Sequence, residues 1–481
     1  VGLILPLTCA LLVLSAIPAV SQQSFEEWKA EQEQAFEEFL SEEDAAFSAF
    51  LAREWEAFQA HLSEGFYAEP KLVEPPTTNR AAVPGRGSVR STTPPEPAPA
   101  EEPRITGRRI ELTFHGVRIE LRLPGEIESL SLTELSPEGF SRYWKDAAAG
   151  GTAELVEDLK RLARERNFND YTYFRLVLAL TEAIFEDSRD ATAAAWYVMV
   201  TSGYDLRIAY GDEQIALLMP SEHTLYGVSF FRGSDRLYYL LGPDGSAVRT
   251  QARWRTYRGN HADAQRTVSL TMPPEVNLPE RTRTEELSFS YDGRKHAIEI
   301  PVNEHVVSLF RDYPFTDWYV HFSPAVSGSA RTAVVEQLGR LVRGRNPADA
   351  ANLLLRFVQT AFPYQTDQEH FGFEKWQAPE EILYYRLSDC DDRSVLYAFL
   401  LQEVLGWDEV AVLHYPGHLA VAVAQSRLGA DGDAVLHNGV RYIVTDPTYI
   451  GADIGMAMPQ FRDVTPTVHL LSERPGLSTE R

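Results

Sequence analysis

Cysteine is almost absent from this 481-residue chain: Cys9 and Cys390 are the whole supply. Two thiols cannot build a disulfide framework, and they exclude a multi-cysteine zinc or iron–sulfur site. Positive charge is short as well. The 45 Lys and Arg face 69 Asp and Glu, for a formal net charge of −24. That balance argues against a nucleic-acid partner and against attraction to an anionic membrane surface. What the chain does have is core-forming material, 44% hydrophobic with 11% aromatic residues, which excludes wholesale disorder. Its length calls for two or three domains of roughly 150 residues each.

Residues 1–20 form one apolar run broken only by Thr8, Ser15 and two prolines, with small residues at Ala19 and Ser21. This reads as a signal peptide over 1–21, so a periplasmic or secreted protein is expected, with no stable membrane span once the signal is cleaved. Cleavage also removes Cys9 and leaves Cys390 as the single thiol. Exported proteins avoid a lone thiol unless it does chemistry.

Residues 22–67 carry an eleven-residue period. Phe25, Phe36, Phe47 and Phe58 recur, and Trp28, Phe39, Phe50 and His61 follow three places later. Eleven residues make three helical turns, so the stripe stays on one face of an acidic amphipathic helix. Packing against a partner protein or a second copy is the expectation for that face. Residues 68–105 hold nine prolines between Ser, Thr, Gly and Ala, an extended linker with nothing to bury. From 106 the pattern is that of a folded α+β protein. A mixed α/β region is expected at 106–250, a β-rich connecting domain at 251–325 (with strands over 252–310), and a further domain at 326–470.

Three segments of the last domain carry chemistry. Asp389 offers an N-cap to a helix starting at Cys390, where the helix dipole favours thiolate over thiol. His418 opens the strand run LAVAVA, and Asp446 ends the run YIVT. Thiol, imidazole and carboxylate are the parts that nucleophilic thiol catalysis needs. His418 would deprotonate Cys390, and Asp446 would fix the imidazole. The Cys390 N–H is one oxyanion donor, and Gln365 and Trp376 are candidates for a second, Trp376 serving equally well as a wall of the cleft. Asp389, Asp391 and Asp392 could gather calcium, but capping and solvation account for acidic residues at a helix start. No metal and no cofactor are expected.

FPYQTDQEHFGFEKW (362–376), SDCDDRS (388–394), YPGHLAVAV (415–423) and YIVTDPTYIGADIG (442–455) together resemble the transglutaminase-like cysteine protease superfamily, in its bacterial exported branch. The resemblance covers roughly 330–460. It implies a papain-like transglutaminase core at the C-terminus with Cys390, His418 and Asp446 catalytic. Family members usually carry Gly two residues before the nucleophile, where this chain has Ser388, which narrows the approach to the thiol.

The central region echoes the same layout. Ser188 aligns with Cys390, Gln214 with His418 and Gly242 with Asp446, and the last two spacings are both 28 (242 − 214 and 446 − 418). No base remains in that set, so 106–250 reads as a degenerate, inactive copy of the core. The functional expectation is a peptidase or amidase that acts on a protein or peptide through a thioester. A cross-linking transglutaminase and a non-catalytic envelope scaffold are the alternatives.

Overall fold

The computed structural model describes residues 107–473, apart from 212–213, 234–235, 249–253, 258, 260, 262 and 323–325. The expected signal (1–21), aromatic helix (22–67) and linker (68–105) lie outside the described residues.

The described chain is mixed α+β, built from helices and antiparallel sheets in two successive units. The first opens with a hairpin of β1 (Gly107–Phe114) and β2 (Val117–Pro124). His115 at φ 46° and Gly116 at φ 79° make its two-residue turn, and that left-handed pair matches the twist of the strands. Four helices follow, α1 (Pro137–Ala149), α2 (Thr152–Glu165), α3 (Asp170–Ile184) and α4 (Ser188–Thr201). Residues 191–200 of α4 are all buried, as a helix apolar on every side requires, so α4 forms the axis of the unit. Strands β3 (Arg207–Gly211), β4 (Gln214–Ser221), β5 (Phe230–Arg232), β6 (Leu237–Leu241) and β7 (Arg255–Tyr257) pair in the order β5-β6-β4-β3-β7.

The second unit repeats the plan. Its hairpin is β8 (Thr282–Tyr291) and β9 (Arg294–Asn303), turning at Asp292 (φ 50°) and Gly293 (φ 67°). After it come α5 (Glu304–Arg311), α6 (Trp318–His321), α7 (Gly328–Val342), α8 (Pro347–Ala361), α9 (Asp367–His370), α10 (Pro379–Tyr385) and α11 (Cys390–Leu405). Residues 391–401 make α11 another fully buried axis. The sheet comprises β10 (Val410–Tyr415), β11 (His418–Ala424), β12 (Ala434–His437), β13 (Val440–Thr445) and β14 (Thr467–Leu470), with the short helix α12 (Gln425–Leu428) after β11. Its order, β12-β13-β11-β10-β14, is the first sheet's order strand for strand.

The register repeats too. Tyr415↔His418 answers Gly211↔Gln214, Val421↔Thr445 answers Leu217↔Leu241, and Ala434↔Ile443 answers Phe230↔Tyr239. All six residues are displaced by the same 204 positions (418 − 214). The units differ in several connections, two of which lie beside the residues at the helix start and after β13. Residues 185–187 link α3 to α4, whereas 362–389 separate α8 from α11; residues 242–254 link β6 to β7, whereas 446–466 separate β13 from β14.

The expected strand character of 252–310 does not extend through that range. Asn303 Oδ1 accepts the His305 N–H at 3.1 Å and starts α5, which buries Val306, Val307, Leu309 and Phe310. A short apolar run has no period of its own to distinguish strand from helix. This stretch also joins the units, since Val306, Leu309, Phe310 and Val320 pack in the first core and Val307 and Phe322 in the second. No helix among the described residues is long and apolar enough to cross a membrane.

Candidate active site

Cys390 is the first residue of α11 and is half-buried. Asp389 holds the N-cap position, and Asp392 Oδ2 reaches back to accept its N–H at 3.4 Å. Ser394, one turn on, places its Oγ 2.8 Å from Cys390 O and 3.1 Å from Leu419 O. That hydroxyl ties the start of the helix to the start of β11, where His418 stands.

His418 and Asp446 are both buried, and His418 Nε2 lies 2.8 Å from Asp446 Oδ2. With Asp446 accepting from Nε2–H, Nδ1 becomes the basic nitrogen of the neutral ring. The carboxylate is itself held: Asp446 Oδ1 accepts the N–H groups of Thr448 at 2.9 Å and Tyr449 at 3.3 Å. Gln359, fully buried on α8, fixes the same turn. Its Nε2 donates toward Asp446 O, Tyr449 O and Ala452 O, and its Oε1 accepts the Gly451 N–H. Phe461 stacks on the imidazole with centroids 4.8 Å apart and planes 13° from parallel.

Gln365 is drawn to the nucleophile by backbone pairing. Its N–H donates to Ser388 O at 3.2 Å, beside a parallel bridge between Tyr364 and Ser388. The indole of Trp376 packs against Phe315, His321 and Phe322, at centroid distances of 6.5, 5.0 and 6.2 Å. Its neighbour Gln377 is clamped by Asp392, which accepts the Gln377 N–H at 2.8 Å and its Nε2–H as well. His414 is exposed on β10 opposite Leu419, while His418 pairs with Tyr415, so the two imidazoles are not presented together.

The helix start is more acidic inside than its sequence implies. Asp389, Asp391 and Asp392 are buried, and solvation therefore does not account for them. Burial first, and then the neighbouring Asp389, pushes the Asp391 and Asp392 carboxyls well above their ordinary range. Burial and the same neighbours push Asp367 up to about 11. Asp367, Asp389 and Asp392 bring carboxylate oxygens within 4.8 Å of one another, as do Asp367, Glu374 and Asp391; these groups could hold a cation. Asp389 Oδ1 and Asp391 Oδ2 have no hydrogen-bond partner. Arg393 supplies the opposing charge from full burial, with Nε donating to Ser388 Oγ at 3.1 Å and Nη2 to Phe362 O at 2.7 Å.

Gln359, Phe461 and the Gln377 clamp are absent from the sequence reading. Gln359 leaves one signal, a lone amide in the apolar run LLLRFVQTAF. Phe461 leaves none. Comparison of the chain with protein-family models and with curated proteins finds no match.

Proposed function

We propose that this protein is a thiol enzyme that cleaves amide bonds at Cys390, in a unit built as a transglutaminase-like core. The observation that carries the reading is the buried His418–Asp446 pair at the mouth of β11, tied through Ser394 to the helix that begins with Cys390.

In this reading His418 Nδ1 takes the Cys390 thiol proton and the thiolate attacks the amide carbonyl. The tetrahedral oxyanion is met by the Cys390 N–H and the Gln365 side chain. His418 returns the proton to the leaving amine, the C–N bond breaks, and an acyl thioester remains on Cys390. Water, deprotonated by His418, then attacks the thioester and releases a carboxylic acid and the free thiol. Asp446 holds the ring and offsets the imidazolium charge in both halves. The first unit, with matching strand order and register but with Ser188, Gln214 and Gly242 at the corresponding positions, is a degenerate copy of the same core.

The test is the alkylation rate of Cys390 against pH, in the full chain and in His418→Ala. A His-paired thiol at a helix start reacts well below pH 7, and the variant should return it to about 8.5. Both proteins titrating near 8.5 would overturn the proposal. Added primary amines that capture the acyl-enzyme would move the assignment from hydrolysis to cross-linking.

A further inference from the structure

A cation buried inside a protein is costly, and Arg393 is buried completely, three residues after Cys390 on α11. Burial lowers its pKa to about 10, while Tyr364, Asp389, Asp446 and Cys390 oppose that fall, so it stays charged at neutral pH. Both groups that its guanidinium bonds are neutral. Nε donates to Ser388 Oγ at 3.1 Å and Nη2 to Phe362 O at 2.7 Å. Its Cζ stands 5.3 Å from the centroid of the Tyr364 ring. These partners fall in two short stretches: 362–364, and the residue two before the nucleophile.

The same stretches are joined through their backbones. The Ser388 N–H donates to Pro363 O at 3.3 Å, the Gln365 N–H donates to Ser388 O at 3.2 Å, and Tyr364 bridges Ser388 in parallel. A hydrogen bond from a charged donor is among the strong ones, and the planar guanidinium fork holds its acceptors in a fixed relation. Arg393 therefore locks this small bridge to the helix that begins with Cys390. The next residue along the locked stretch is Gln365.

The first unit provides a comparison. Ser188 matches Cys390 and Thr192 matches Ser394 at a displacement of 202 (390 − 188 and 394 − 192). At that displacement Ala191 stands for Arg393 and Glu186 for Ser388 (393 − 191 and 388 − 186). Ala191 is buried with nothing to donate, and Glu186 is exposed. Residues 185–187 alone connect α3 to α4 there, leaving nothing that corresponds to 362–365. The cation, its hydroxyl acceptor and the stretch they hold occur together in the unit that has the thiol, and are missing together from the unit that lacks it.

We propose that Arg393 and Ser388 are positioning residues for acyl transfer, which hold the stretch 362–365 against the start of α11 and so place Gln365 for the oxyanion. The inference rests on the amide-cleaving reading and adds to it the pair that sets its oxyanion side. It also gives Ser388 a task at the position where the resembled family usually carries Gly, because its hydroxyl receives the Arg393 Nε–H.

The experiment compares two reactions of Cys390 in the full chain carrying Cys9→Ser, where it is the single thiol. Iodoacetamide alkylates by displacement at a saturated carbon and forms no oxyanion. p-Nitrophenyl acetate acylates the thiolate through a tetrahedral oxyanion; the S–C bond forms, the ester C–O bond breaks and p-nitrophenolate leaves. Ser388→Ala and Arg393→Lys should each slow acylation by about tenfold and change alkylation by less than about twofold, with the melting temperature of each variant as the control for folding. Ser388→Ala removes a single oxygen and leaves the guanidinium in place, so it serves if Arg393→Lys does not fold. Gln365→Ala should slow acylation too, and adding Ser388→Ala to it should slow acylation no further, since the two act on one step through one group. Native acylation in folded Ser388→Ala, equal losses in both reactions, or losses that multiply in the double variant would overturn the proposal. An acidic thiol with acylation unchanged in the variants removes the positioning pair and leaves the enzyme reading standing. An ordinary thiol, titrating near 8.5, removes the enzyme reading and the pair with it.

Discussion

At the scale of single residues, the pairing of His418 with Asp446 and the place of Cys390 at a helix start were legible, and the groups that hold them were not. Cys390, His418 and Asp446 could be placed because each sits at a local boundary that sequence marks: a helix start, a turn into an apolar strand, and the residue that follows another strand. Gln359 acts on the turn of Asp446 from 87 residues away (446 − 359) and Phe461 on His418 from 43 (461 − 418), and no local pattern announces a contact at that range. Phe461 supplies a direct test. Its ring lies flat against the imidazole that Asp446 holds from the edge, so it limits rotation of the base out of line with the thiol. Phe461→Ala should slow alkylation of Cys390 at pH 6 by about tenfold, modest on the scale of positioning effects. Phe461→Tyr keeps the stack and should stay close to the native rate. Equal rates in all three proteins would show that the ring is packing only. Gln359→Leu tests the other support. It strands the Gly451 N–H and several carbonyl groups at the turn after Asp446, a loss of roughly 1–3 kcal/mol of stability. A melting curve matching the native protein would contradict that.

Among elements, the helix start of α11 shows where local reading stops. The N-cap at Asp389 was readable, whereas the burial of Asp391 and Asp392 was not, because the cover comes from the connection 362–389, which has no counterpart in the first unit. The consequence is a pH dependence with a definite sign. A carboxyl whose folded pKa lies above its unfolded value binds its proton more tightly in the native state. Stability from such a group is full below the unfolded value, near 3.9, and is lost as pH rises toward the folded one. The raised Asp367, Asp391 and Asp392 therefore make the protein less stable at pH 8 than at pH 5, as far as these groups contribute. Asp391→Asn removes one of those charges from beside Asp389 and keeps the shape of the side chain. The variant should melt higher than the native protein at pH 8 and nearly level with it at pH 5. An equal drop at both pH values would mean that the carboxylate is structurally required.

For the whole molecule, the repeat was visible as the shared 28-residue spacing, and the structure extends it to hairpins, axial helices and every strand pairing compared. Sequence could not reveal the hairpin at 282–303 as the counterpart of 107–124, because the resemblance between the two is one of pattern and place and not of residues. If the first unit is a degenerate copy, its geometry should still accept the lost groups. Gln214 pairs with Gly211 as His418 does with Tyr415, and Thr192 Oγ1 sits 2.6 Å from Ser188 O as Ser394 Oγ does from Cys390 O. At Gly242 an added Cβ would meet Asp244 Oδ1 at 3.1 Å, so that side chain, which accepts the Ser246 N–H and O–H, must give by a few tenths of an ångström. The test begins from a chain with Cys9 and Cys390 replaced by Ser, so that Ser188→Cys is the single thiol. Alone, that thiol has only the helix end to acidify it and should titrate near the ordinary value of about 8.5 or slightly below. Adding Gln214→His and Gly242→Asp should lower it by about one unit, less than the covered second site achieves, because Ser188 and Gln214 are exposed and water screens the new pair. A folded triple variant whose thiol does not move would mean that the shared register is a likeness of architecture alone, in which the helix start and the strand mouth no longer face each other closely enough to pass a proton.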